Sequence, residues 1–469
     1  MECLERWIGQ ASDIVWGPVM LALLMGTHLF LTVRTRFIQR YLGRAIRISL
    51  GTKSEGEGDI SQFGALTTAL AATIGTGNIV GVATAVASGG PGAVLWMWLT
   101  GVFGIATKYS EALLAVHYRI TTPNGQMAGG PMYALERGLG ARWLGLIFAA
   151  MTAIAAFGIG NMVQANSIAC LIDETAGFGP DHALGQLIFG IPAIKWITGI
   201  VITALTALVI LGGIKWIARV CEALVPFMAI FYVAGCTVLL IMRYDTIPDS
   251  LVLILKSAFT GQAAVGGFLG AGMKEAIRFG IARGLFSNES GLGSAPIVAA
   301  AAQTSNPVRQ ALVSSTGTFW DTVVVCAMTG VMIVNTGEWT KGLQAAALTK
   351  ATFNDFPVVG PALLVVGLLT FVFSTILGWS YYGEKAAEYL FGTGAIRYYR
   401  YLWVAAVMVG SVSTLKLIWN FADVANACMA VPNLVSLILL SGVVVAQTKK
   451  YLWNETAGTG NGEPGTGKV

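Results

Sequence analysis

The residues best suited to chemistry in this chain are Gly75-Thr76-Gly77-Asn78, set in the middle of the apolar stretch 65–90. That stretch is long enough to cross a bilayer, yet these small and polar residues weaken a helix there. Backbone groups freed at that depth must be buried in protein or line a cavity. Freed N–H groups at the start of the second half-helix suit a carboxylate. The Asn78 amide oxygen, with carbonyls such as those of Ala71 and Ile74, suits a hard cation. Small residues also favour close helix packing, so one such run leaves both readings open.

A second run strengthens the functional one. Segment 283–296 reads RGLFSNESGLGSAP and interrupts another crossing. It places Glu289 beside Asn288 and between the hydroxyls of Ser287 and Ser290. A carboxylate inside the membrane is a functional candidate by default. Glu289 can hold the cation, receive a proton, or accept from N–H groups of the broken helix; the last role is structural. Ser374 and Thr375 put adjacent hydroxyls near Gly378 in a later crossing. They offer oxygen to Na⁺, although hydroxyls commonly bond back to their own helix. Gln164, near Asn161, Asn166 and Ser167, has a donor and an acceptor for the two ends of a zwitterion. Trp379 either walls a small pocket or anchors its helix at the interface. Asp321, and Lys108 with Glu111 one turn on, read more simply as structural pairs.

These residues need a membrane scaffold. The 469-residue chain is 55% hydrophobic and 11% charged, against roughly a quarter charged in soluble domains. Hydropathy marks about eleven crossings of ~20 residues. They lie near 16–33, 64–88, 93–118, 144–172, 194–212, 218–242, 268–303, 308–334, 361–382, 398–417 and 423–446, those at 64–88 and 268–303 being broken. Segment 344–353 is too short to cross and reads as a helical cap on the outer face. The broken crossings stand five apart, so each opens a unit of five, and an odd number inverts the second unit. Paired interruptions at matching places point to a transporter site. The expected divisions are 1–62 (an extra N-terminal crossing and basic loop), 63–242, 243–448 and a disordered tail at 449–469. Loops after the odd-numbered crossings hold most of the Lys and Arg, among them Arg34, Arg119, Lys215, Arg309, Lys385 and Lys450. That bias puts the N-terminus outside and the C-terminus in the cytoplasm. No basic region with a cleavage site marks a signal peptide, so the first crossing is expected to be retained.

The segment 88–104 (SGGPGAVLWMWLTGVFG), the GTGN at 75–78 and the GLFSNESGLGSAP at 284–296 resemble the sodium:alanine (alanine/glycine:cation) symporter family. The likeness runs from about residue 16 to 450; Leu95, where the family more often has Phe, is one departure. The resemblance implies an all-α polytopic membrane protein of the amino acid–polyamine–organocation superfamily. Its fold would be the leucine-transporter-type 5+5 inverted repeat with an extra N-terminal helix. It implies uptake of alanine or glycine, in some members D-alanine, driven by Na⁺ and in some by H⁺. Carried to matching positions, Thr76, Gly77 and Asn78 meet substrate or ion, and Gln164 and Trp379 shape the pocket, with Asn288 counted in the substrate set. Ala71, Ile74, Ser374 and Thr375 form the cation site by analogy with that fold. Glu289 is a coupling or structural carboxylate.

The alternatives are an H⁺-coupled carrier of another solute, a channel, or a membrane enzyme. Three scattered histidines without HExxH offer no catalytic constellation, and no repeated filter is visible. Six cysteines without CxxC read as buried hydrophobes. The net charge of +5 is spread over short loops, which fits topology signals and not nucleic-acid binding. The expected partners are a small neutral amino acid, Na⁺ and membrane lipid, with no cofactor.

Overall fold

Peptide groups that cannot continue a helix bend the first interrupted crossing. In the structure, a computed structural model that describes residues 15–51, 56–179, 182–260, 272–413 and 416–454, α1 is Pro18–Arg34 and α2 is Gln62–Thr73. Ser61 caps α2 by accepting from the Gly64 N–H at 2.8 Å. Ile74 leaves helical geometry, and the chain resumes in a π turn at Gly77–Gly81 that leads into α3 (Val82–Gly89). The two halves are bent by 53°.

The bundle continues through α4 (Ala93–His117), α5 (Arg142–Ala176), α6 (Ala193–Ile210) and α7 (Ile214–Met242). Next comes α8 (Ile247–Thr260), which hydropathy does not mark. Its 14 residues reach only ~21 Å, too short for a ~30 Å hydrocarbon core. The second interrupted crossing is α9 (Met273–Asn288) and the short α10 (Pro296–Ala299). Its described part begins at Met273; the expected start at 268 lies outside the described residues, as does most of the expected tail. Glu289, Gly291 and Gly293 between the halves have positive φ, so the backbone turns where a helix would have carried on.

Then follow α11 (Pro307–Thr336), α12 (Ala345–Asn354), α13 (Val359–Phe391), α14 (Ala395–Val412), α15 (Lys416–Leu439) and a last bent segment from Ser441. The α12 helix is the expected cap and packs on α3, α11 and α13. Helix α13 extends nine residues past the expected 382, because Glu384, Lys385 and Glu388 are themselves buried and paired within the protein. Among the described residues, five helices are long and apolar enough to cross alone, and three bent pairs join them. With the breaks in α2/α3 and α9/α10, this is the expected 5+5 architecture with an extra N-terminal helix.

Glycines bring the site-bearing helices together. A Cβ on Gly378 of α13 would stand 2.7 Å from the Ala72 nitrogen of α2. One on Gly160 of α5 would overlap the Trp379 side chain.

Candidate functional site

Both breaks meet α13 and α11 in a wholly buried region. The Ser374 hydroxyl donates to the Ala71 carbonyl at 3.2 Å, and the Thr375 hydroxyl to the Ile74 carbonyl at 3.4 Å. Both hydroxyls also reach the Phe371 carbonyl, at 2.8 and 2.9 Å. The four expected cation ligands are thus brought together, and Phe371 adds a fifth oxygen. Sequence alone could have found it, since it lies three and four residues before the two hydroxyls on one helix face. All five residues are buried, so these oxygens form a hard, dry donor set of the kind an alkali cation takes.

Gly75 makes that approach possible, because a Cβ there would lie 2.5 Å from the Thr375 Oγ1. Gly75→Ala is expected to push the hydroxyl out of the oxygen cluster. The Na⁺ concentration for half-maximal uptake should rise about tenfold, which is ~1.4 kcal/mol of ion binding. An unchanged Na⁺ titration in proteoliposomes would remove Thr375 from the ion's ligands.

The substrate candidates gather only in part. Gln164 donates to the Thr76 hydroxyl at 3.3 Å and to the Ile159 carbonyl at 2.9 Å. Its Oε1 is buried without a partner among the described residues, as an acceptor waiting for a cationic group would be. Trp379 is 1% exposed and edge-on to Tyr382, so it packs inside the bundle and anchors no interface. Gly77 sits against Phe286 and Ser287 of α9. Asn78 is already engaged: its Oδ1 accepts from the Gly75 N–H at 2.8 Å, and its amide donates to Asp321 Oδ1 at 2.7 Å. Asn288 accepts from the Ser290 N–H at 2.9 Å and so braces the second break.

Glu289 accepts from the Ser294 hydroxyl at 2.6 Å and meets the Trp379 indole. Glu111 makes no ion pair with Lys108. It accepts instead from the Gly291 N–H at 2.9 Å and the Asn433 amide at 2.7 Å. Lys108 Nζ has no hydrogen-bond partner among the described residues. The expected pairing failed because Glu111 has stronger claims across the bundle than along its own helix. Three π segments, Gly77–Gly81, Ala156–Met162 and Phe319–Cys326, surround this region. Such bulges recur at functional sites, and hydropathy cannot show them.

The two faces of the bundle differ. At the face with the basic loops, the segment before α2 docks on the segment after α10. Asp59 N–H donates to the Ala301 carbonyl at 2.8 Å, and Gln303 N–H to the Ile60 carbonyl at 2.8 Å. Arg119 donates to the carbonyls of Ala300, Ala302, Glu57 and Thr304 at 2.7–3.0 Å. Burial, opposed by the Met127 N–H that it accepts, holds the Asp59 carboxyl above the usual carboxylate range. Toward the opposite face, a cavity of about 440 Å³ lies among Asn166, Cys170, Glu174, Thr349 and Lys350.

The family model described as the sodium:alanine symporter family matches residues 1–463. The chain belongs to that family. This symporter is 49% identical over 455 residues to the sodium/alanine symporter AgcS of Methanococcus maripaludis, covering 95% of this chain and 96% of the relative. It is 34% identical to the probable sodium/glutamine symporter GlnT of Bacillus subtilis, covering 97% and 92%. Among solved structures it resembles MhsT in complex with L-phenylalanine, with a TM-score of 0.60 at 15% identity, covering 85% of this chain and 95% of that one. That likeness concerns the fold. The symporter is a multi-pass membrane transporter and not an enzyme.

Proposed function

We propose that this symporter carries a small neutral amino acid, alanine or glycine, into the cell together with Na⁺. The observation that supports this most is the convergence of Ser374 and Thr375 on the Ala71 and Ile74 carbonyls across two helices. On binding Na⁺ each hydroxyl turns its hydrogen away and offers a lone pair. The ion then bridges α13 to the first break and stiffens it. The substrate carboxylate meets backbone groups at Thr76 and Gly77, where the half-helix dipole favours negative charge. The free Gln164 Oε1 takes the ammonium group. Trp379, pressed close by Gly160, leaves room for only a short side chain.

Ion and substrate together favour the closed arrangement, and rocking of the repeats then releases both inside. An inward membrane potential of 100 mV adds ~2.3 kcal/mol per charge carried.

The test is radiolabelled alanine uptake into proteoliposomes with Na⁺ or K⁺ outside, and with an imposed pH gradient as a third arm. Wild type is expected to concentrate alanine only with Na⁺, and Thr375→Ala to lose at least about tenfold of that at low Na⁺. Uptake that follows the pH gradient, or a variant indistinguishable from wild type, would overturn the reading.

A further inference from the structure

From Arg34 to Lys53 the chain carries six Lys and Arg and no Asp or Glu. A topology signal needs only that charge, but here it is also arranged. Arg36 and Phe37, both at φ 55°, turn the chain at the end of α1, and the helical segment Ile38–Ser49 runs on at 65° to it. Arg40, Arg44 and Arg47 follow at helical spacing and share one exposed face. Arg34 and Arg36 are exposed beside them at the corner. The other face is fixed to the protein, with Ala45 buried in the apolar cluster that holds Val308 and Leu312 of α11.

Apolar side chains remain uncovered next to these arginines: Phe37 is 58% exposed and Leu50 71%. A face turned only to water would carry polar residues there. Arginine among exposed aromatic and aliphatic groups suits a segment lying in the interface of a bilayer. The stems then pack among acyl chains and the guanidinium groups sit at headgroup level. The Arg36 guanidinium also stands 4.5 Å from the centre of the Trp453 ring. It thereby brings the last helical segment, with exposed Lys449 and Lys450, into the same basic field.

We propose that the segment Ile38–Ser49 binds anionic phospholipid of the leaflet on the side of the basic loops, as a stabilising ligand of the fold. A guanidinium pairs with a phosphodiester through two parallel hydrogen bonds. A choline headgroup carries the same phosphate, but its ammonium cancels the charge that draws it to a basic surface. The segment packs on α2 and on the start of α11. Lipid held there therefore braces the first interrupted crossing from outside the transport site.

The test is the melting midpoint of the purified full-length protein in uncharged detergent, titrated with dioleoyl phosphatidylglycerol or dioleoyl phosphatidylcholine. In wild type the midpoint is expected to rise at an at least about tenfold lower concentration of phosphatidylglycerol, and added salt should weaken that response. A surface arginine contributes about fivefold in affinity for anionic lipid. The triple variant Arg40→Gln, Arg44→Gln, Arg47→Gln should therefore need about a hundredfold more phosphatidylglycerol. The matching triple Lys variant keeps the charge and should stay within about tenfold of wild type. Equal responses of wild type to the two lipids would overturn the proposal, as would an unshifted Gln variant or equal losses in the Gln and Lys variants. Should the Gln variant not purify as a single species, the salt arm decides, and a wild-type response indifferent to salt overturns it. The same rise produced by inorganic phosphate alone would remove lipid as the ligand.

Discussion

Gly58→Val is expected to abolish alanine uptake while Cys221 becomes open to water from the face that carries the basic loops. A Cβ on Gly58 would overlap the backbone of Ala302 and Gln303, so a valine cannot lie where the glycine does. The docking it disrupts combines backbone pairing, Asp59 and Ile60 against Ala301 and Gln303 against Ile60, with four backbone carbonyls held by the Arg119 guanidinium. Hydrogen bonds from a charged donor contribute about 1.5–3 kcal/mol each, and each ~1.4 kcal/mol lost shifts a two-state equilibrium tenfold. Release of this clamp frees α2 to swing from α7, where Thr68 covers the buried Cys221.

With Cys221 as the sole cysteine, its labelling by a membrane-impermeant maleimide should quicken about tenfold or more. Uptake should fail because a carrier open at one face cannot alternate. Arg119→Gln should show the same effect more weakly. Unchanged labelling in both variants would mean that this docking does not gate the pathway.

The second large effect concerns the fold around the second break. Glu111→Leu is expected to destabilise the protein by about 3 kcal/mol, because it strands the Gly291 N–H and one of the two Asn433 amide hydrogens in a buried site. Those groups now converge on Glu111, and Asn433 also donates to the Gly291 carbonyl at 2.9 Å. Gly291, at φ 91°, cannot find a helical partner for its N–H. The melting midpoint in detergent should fall by roughly 5 °C and transport should be lost with it. Glu111→Gln keeps an accepting oxygen and should melt much closer to wild type. Equal losses in the two variants would show that charge, and not acceptance of these hydrogen bonds, is what Glu111 provides.

Much of the molecule was legible beforehand, and the reason is the solvent. Lipid forces each crossing to be an apolar helix of at least a minimum length, so composition pointed to the long apolar helices. Exceptions inside them, Gly75–Asn78 and Ser287–Gly293, stood out as interruptions. The cap at Ala345–Asn354 was readable from its length. Helix α8 was not, since a short amphipathic segment leaves the same trace as a loop.

Within the candidate site, local spacing was enough for Ser374 and Thr375, whose partners lie one turn back on the same helix and across one tight contact. Asp321 and Glu111 show the limit of such reasoning. Each was read through its neighbours in sequence, Glu111 as a partner of Lys108. Yet Glu111 serves Gly291 and Asn433, and Asp321 serves Asn78 and Ser287, on segments far away along the chain.

Sequence by itself therefore determined the apolar, all-helical character of the chain, the two interruptions and the family. Which buried polar groups satisfy one another was decided only by the tertiary structure. A buried donor or acceptor must find a partner wherever the packing puts one, and glycines such as Gly58, Gly75, Gly160 and Gly378 set that packing through contacts whose other half lies on a different helix or loop.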